Sequence, residues 1–207
     1  MLNLQEGALL LIEFQNEWLK KEGKLHYLLS DAEKFSISLE NAKNIIQFAR
    51  KSKINIVHSG LSFTKKYKEL GEAQHGLRAL IPKCQTFLEN TNAIQFTYPF
   101  TPQENEFVVQ GRVGSSAFSA SNLDAYLRNN RIKTLFIMGF ALHVCVESTL
   151  RAAHDLGYES IVIDDAAFAF NEEQTQYFLK NIIHHFGSSM KSADFINLLS
   201  EGKIHDK

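Results

Sequence analysis

The chain has 207 residues, with 22 Lys and Arg against 23 Asp and Glu, 44% hydrophobic residues, 8 His and 2 Cys. That length and composition suit a globular chain with a substantial core and exclude disordered and fibrous classes. A formal charge of −1 leaves no basic excess to neutralise phosphates, so neither nucleic acid nor an anionic membrane is expected as a partner.

The longest apolar run near the start, residues 8–12, is too short for a signal-peptide core or a membrane span. Cys84 and Cys145 lie too far apart in sequence for a metal knuckle and are too few for a disulfide framework. Together these features predict a reducing, cytoplasmic setting. No linker, low-complexity tract or repeat divides the sequence, which predicts one domain over residues 1–207.

In chain order, residues 8–14 read as a first strand that closes on Glu13. Phe35, Leu39, Ala42, Ile45, Ile46 and Ala49 then recur at spacings of three and four, the apolar face of a helix that ends before Lys53. Residues 54–59 are the second strand. Residues 62–106 have weak periodicity and contain all three prolines, Pro82, Pro99 and Pro102. They form either a lid or pocket wall, or an ordinary helix with an extended connection. A third strand is expected at 107–110, and Ser121-Asn122-Leu123-Asp124 resembles a capping box opening a helix through Arg128. Residues 134–138 form the fourth strand, and residues 144–156 a helix stopped by Gly157. A fifth strand at 160–163, a helix begun by Asn171, a sixth strand near 187–190 and a last helix at 192–199 complete the order. Short apolar runs alternating with helical segments predict an α/β fold with a parallel sheet covered on both faces.

Ligands of such sheets lie at the carboxyl ends of the strands, where Glu13, Arg112 and Cys145 stand. In the first turn of a helix, the Cys145 thiol should ionise more readily than a free one, helped by a neighbouring cation. Taken alone, Cys145 reads either as a nucleophile or as a small buried hydrophobe, and Glu13 and Arg112 as solvated charges or a structural ion pair. Dinucleotide, P-loop and serine-elbow motifs are missing. His184-His185 is an adjacent pair whose rings cannot share one helix face, so surface packing is expected of it.

Leu11-Ile12-Glu13-Phe14-Gln15-Asn16-Glu17-Trp18 resembles the opening signature of isochorismatase-like cysteine hydrolases. Gly111-Arg112-Val113-Gly114-Ser115-Ser116-Ala117-Phe118 resembles the family's lysine segment, and Gly139-Phe140-Ala141-Leu142-His143-Val144-Cys145-Val146-Glu147-Ser148-Thr149 its nucleophile segment. Residues 152–158 and 163–166 continue the likeness, and residues 58–63 are similar to a segment of one branch of the family.

The resemblance implies a three-layer α-β-α sandwich with a mainly parallel six-stranded sheet, a homo-oligomer (dimer or tetramer), and a small amide-type substrate cleaved through a thioester. It makes Cys145 the nucleophile, with Glu13 and Arg112 at the other two catalytic positions. It makes the backbone N–H groups of Ala141 and Cys145 the oxyanion donors, and places a cis peptide at Phe140-Ala141. The aromatics Trp18, Phe63 and Phe118 are expected to wall the substrate pocket. The second-strand region reads His58-Ser59-Gly60-Leu61 and lacks the histidine pattern of metal-dependent relatives, so no catalytic metal and no cofactor are expected. Two positions depart from the family. Glu13 stands where it has Asp, and Arg112 where it has Lys. Arginine keeps the charge but cannot shuttle a proton, so either the site works as a Glu-Arg-Cys variant or hydrolysis is lost and the pocket binds a ligand or protein partner.

Overall fold

In the computed structural model, which describes residues 4–201, six parallel strands form one sheet in the order β3-β2-β1-β4-β5-β6. They are β1 (Gly7–Ile12), β2 (Asn55–Ser59), β3 (Phe107–Val108), β4 (Thr134–Gly139), β5 (Glu159–Ala167) and β6 (Ser188–Met190). Eight α-helical segments accompany them: α1 (Asn16–Leu19), α2 (Ala32–Ala49), α3 (Gly76–Cys84), α4 (Leu123–Asn129), α5 (Glu147–Asp155), α6 (Glu172–Asn181), α7 (Ile183–Phe186) and α8 (Ser192–Glu201).

β1 and β4 are buried at every position because helices cover both faces of the sheet, which is why they read as unbroken apolar runs. Side chains alternate between the faces. Leu9 and Leu11 pack with Phe35, Ala42 and Ile45 of α2 and Phe195 and Leu199 of α8. Ala8, Leu10 and Ile12 pack with Leu123 and Leu127 of α4, Leu150 of α5 and Phe178 of α6. The result is the α-β-α sandwich that the resemblance implies.

Asp31 caps α2 by accepting from the Lys34 N–H at 3.1 Å, and Asn171 caps α6 by accepting from the Gln174 N–H at 2.9 Å. The capping box expected at residues 121–124 does not form. Ser121 Oγ donates to the Ala117 carbonyl at 2.6 Å, and the Asp124 carboxylate instead takes Arg128 and the Tyr158 hydroxyl. β5 runs four residues past the expected end at 163 because Asp164 and Asp165 find partners off the strand. Asp164 pairs with Lys191 at 2.7 Å, and Asp165 accepts from the Ser192 N–H at 2.7 Å and hydroxyl at 2.8 Å. β3, expected over 107–110, is cut to two residues. The 62–106 segment holds α3 and an extended connection, and it forms isolated bridges between Gln15 and Phe96 and between Phe63 and Leu88.

Candidate active site

The carboxyl ends of β1, β3 and β4 bring Glu13, Arg112 and Cys145 together. β1 stops at Ile12, two residues before its expected end, because Glu13 takes a left-handed backbone conformation (φ 57°) while its N–H bonds the Ser59 carbonyl at 2.8 Å. That conformation costs a non-glycine residue of order 1–3 kcal/mol, and it turns Glu13 out of the strand's alternation at the carboxyl end of the sheet. The carboxylate has a donor on each oxygen. Arg112 Nη2 lies 2.5 Å from Oε1, and the Trp18 indole Nε1 lies 2.8 Å from Oε2.

Arg112 follows β3 in a loop that wraps around its own side chain. Nε donates to the Gly114 carbonyl (3.0 Å), Nη1 to the carbonyl and hydroxyl of Ser59 (3.4 and 3.3 Å), and Nη2 to Glu13 (2.5 Å) and the Ser115 carbonyl (2.6 Å). A guanidinium has five N–H donors, so all are satisfied within the chain. The pairing with Glu13 is single-pronged, not the two-pronged fork that an Arg-carboxylate pair can make. Both side chains are only 1% exposed.

β4, which leads towards Cys145, ends at Gly139, whose φ of 131° and whose absent Cβ, which would fall 2.1 Å from the Ile12 carbonyl oxygen, admit glycine alone. The Phe140-Ala141 peptide is cis. Cys145 then lies in a π-helical turn, Leu142–Val146, ahead of α5, and not in the first turn of an α-helix as the sequence pattern suggests. The expected ease of ionisation is also corrected. Burial pushes the thiol well above its usual range, the Glu13 charge adds to the effect, and Arg112 opposes it without prevailing. The Thr149 hydroxyl donates to the Cys145 carbonyl at 2.7 Å and accepts from the Ala117 N–H at 2.9 Å, so Thr149 ties the Cys145 turn to the Arg112 loop. Sequence reasoning passed over this bridge, although the four-residue spacing from Cys145 to Thr149 is the spacing at which a threonine bonds back along a helix.

The opening signature fastens the surrounding wall. Gln15 Nε2 donates to the carbonyls of Leu61 (2.9 Å) and Ile94 (2.7 Å) while its Oε1 accepts from the Leu61 N–H (2.8 Å). Asn16 bonds Asn92 and Thr97, and the buried Glu17 carboxylate takes the N–H groups of Lys24 and Phe87. A cavity of about 510 Å³ opens beside Arg112, lined by Gln15, Leu61, Ser62, Phe96 and Val109 among others. Trp18, Phe63 and Phe118 do not line it. Trp18 holds Glu13, Phe63 is buried beside Tyr67 and bonded to Phe87 and Glu89, and Phe118 stacks on Tyr158 at 5.8 Å.

His143, two residues before Cys145, meets Phe170 edge-on at 4.5 Å, and burial lowers its pKa. His184 and His185 lie ring against ring at 4.1 Å on α7. Cys84, at the end of α3, is exposed. Among the described residues, no three His, Cys, Asp or Glu side chains are grouped to hold a metal ion, and no helix is long and apolar enough to cross a membrane.

Residues 7–194 match the sequence model of the isochorismatase domain. The chain is 27% identical over 205 residues to the ureidoacrylate amidohydrolase RutB of Acinetobacter baylyi, covering 93% of this chain and 83% of that one. It is 35% identical over 94 residues to the uncharacterized isochorismatase family protein YwoC of Bacillus subtilis, covering 45% and 49%. In fold it resembles a cysteine hydrolase from Pseudomonas syringae, with a TM-score of 0.83, 19% identity and coverage of 97% and 95%. The nicotinamidase PncA from Bacillus subtilis superposes with a TM-score of 0.74 at 19% identity, over 89% and 98%.

Proposed function

The chain belongs to the isochorismatase family, and on that premise we propose that it is a metal-independent cysteine hydrolase cleaving a small amide or related C–N bond. The observation that carries this reading is the buried Cys145 thiol, electrostatically coupled to a Glu13 carboxylate that is itself held on both oxygens. Similarity along most of the chain to an amidohydrolase supports the bond type.

The thiol rests protonated, because burial and Glu13 disfavour the thiolate. It therefore needs a base at the moment of attack. Glu13 takes the proton as the Sγ–C bond forms, and the oxyanion accepts hydrogen bonds from the backbone N–H groups of Ala141 and Cys145. Glu13 then protonates the leaving nitrogen, the C–N bond breaks and a thioester remains. Water, deprotonated by Glu13, hydrolyses the thioester and the proton returns to sulfur. Arg112 moves no proton. It fixes the carboxylate and offsets its charge.

A second reading has its own support. The guanidinium keeps no free donor for a substrate, and the thiol is harder to ionise than a free one. Both suit a protein that binds a ligand without turning it over. A panel of neutral and carboxylate-bearing amides, assayed with wild type, Cys145→Ala and the double variant Glu13→Asp with Arg112→Lys, separates the two. Turnover by wild type that vanishes in Cys145→Ala establishes the hydrolase, whereas turnover by the double variant alone favours the binding protein.

A further inference from the structure

Resting on the reading of Glu13 as the base for Cys145, we propose that Trp18 is a positioning residue whose indole N–H, acting with Arg112, holds the Glu13 carboxylate in the orientation that receives the thiol proton. A glutamate carboxylate sits on a longer stem than an aspartate one and has one more rotatable bond, so it needs more restraint to hold a productive geometry. Two donors on two different oxygens supply that restraint, Arg112 Nη2 at 2.5 Å from Oε1 and Trp18 Nε1 at 2.8 Å from Oε2. With Arg112 alone, Oε2 is left without a donor and the carboxylate is free to turn about its last side-chain bond, because the other guanidinium donors are engaged elsewhere.

Trp18 is itself immobilised. It lies in α1, a four-residue helix fastened on one side by Asn16 to Asn92 and Thr97 and on the other by Glu17 to the N–H groups of Lys24 and Phe87. Its carbonyl is bonded to His26 Nδ1 at 2.9 Å, and its ring lies 6.1 Å from that of Phe170. Phenylalanine would fill most of the same volume, but only the indole carries an N–H donor on its ring edge. The donor, beyond aromatic bulk, is what this position contributes.

The test uses p-nitrophenyl acetate as an acyl probe, because it needs no knowledge of the natural substrate. As Sγ bonds the acetyl carbon, the bond to nitrophenolate breaks and the thiol proton passes to Glu13. Nitrophenolate release gives the rate, and mass mapping assigns the acetyl group to Cys145 or to the exposed Cys84. Trp18→Phe is expected to slow Cys145 acylation about tenfold in the wild-type background, the effect of losing one hydrogen bond to a charged group, and less than twofold in a Glu13→Gln background. A Trp18→Phe rate equal to wild type, or the same slowing in both backgrounds, overturns the proposal and leaves the hydrolase reading standing. Wild-type Cys145 acylating no faster than Cys84 removes the hydrolase reading and the role of Trp18 with it. Should Trp18→Phe fail to fold, the chain's single tryptophan still decides the matter in wild type. Its one indole N–H resonance is expected downfield of the free-indole position and slow to exchange with solvent. A free-indole shift with rapid exchange overturns the proposal.

Discussion

Arg112 Nη2 lies 2.5 Å from Glu13 Oε1, and the two side chains form a buried ion pair directly beside the Cys145 thiol. The sulfur therefore faces a nearly neutralised pair instead of a lone cation. That distinguishes it from a thiol activated by a free positive charge, and it explains why burial dominates its ionisation. The arginine also closes the space around itself, since its remaining donors hold Ser59, Gly114 and Ser115. One residue serves both the carboxylate's orientation and the fold of the loop after β3.

Arg112→Lys should consequently destabilise the protein. An ammonium has three donors and a different reach, so at least two of the acceptors around Arg112 lose their partner in a water-poor environment. A buried acceptor left unpaired costs about 1–3 kcal/mol. Urea unfolding should show a midpoint shifted down by that order with an unchanged slope. An unchanged midpoint would mean that the guanidinium contacts do not hold the loop.

The Cys145 thiol makes stability depend on alkaline pH. Its folded pKa is raised by burial and by Glu13, so the folded state holds the proton more tightly than the unfolded chain does. The contribution is fully present below the unfolded thiol's pKa of about 8.5 and is lost as pH rises beyond it. Wild type and Cys145→Ala should accordingly converge or cross in stability as the pH is raised from about 8 to 10. A constant difference between their urea midpoints across that range contradicts a raised thiol pKa.

The three site residues are legible in the sequence because each follows an apolar run of strand length, and ligands of parallel sheets gather at such ends. What surrounds them is less so. β5 runs on through Asp164 and Asp165, whose partners Lys191 and Ser192 lie more than twenty residues away, so local polarity hides the strand. The π-helical turn around Cys145 has no propensity signature, and a helical pattern through residues 144–156 gives no hint of its wider first turn. Trp18 reads as an aromatic in a signature, but whether its ring walls a pocket or its N–H holds Glu13 depends on the turn that Glu13 makes at φ 57°.

Acid should act through Glu106. Burial alone would raise this carboxyl. Hydrogen bonds from His58 and Arg50 and from the Gln103 N–H outweigh burial and hold it at about 2. A depressed carboxylate contributes stability above its unfolded pKa and loses it as pH falls through the interval from about 4.5 to about 2. The loss is on the order of 3 kcal/mol, and it loosens the tie between Arg50 at the end of α2 and the Pro99 and Thr101 carbonyls. Glu106→Gln should be less stable at neutral pH and flatter in its acid limb. An acid limb identical to wild type would remove Glu106 as its source.

Thr149 offers the sharpest separation of structure from chemistry, because its hydroxyl touches only backbone. It donates to the Cys145 carbonyl at 2.7 Å and accepts from the Ala117 N–H at 2.9 Å, joining the turn that carries Cys145 to the loop that carries Arg112. Thr149→Val keeps the shape and removes the bridge, leaving a buried N–H unpaired at a cost of about 1–3 kcal/mol. Thr149→Ser keeps the hydroxyl and gives up one methyl, about 1 kcal/mol. If the bridge sets the distance from the sulfur to the Glu13-Arg112 pair, the serine variant retains the Cys145 acylation rate and the valine variant loses much of it, since a displacement of about 1 Å at a reacting centre costs on the order of a hundredfold. Equal rates in the two variants, with valine merely less stable, would confine Thr149 to the fold.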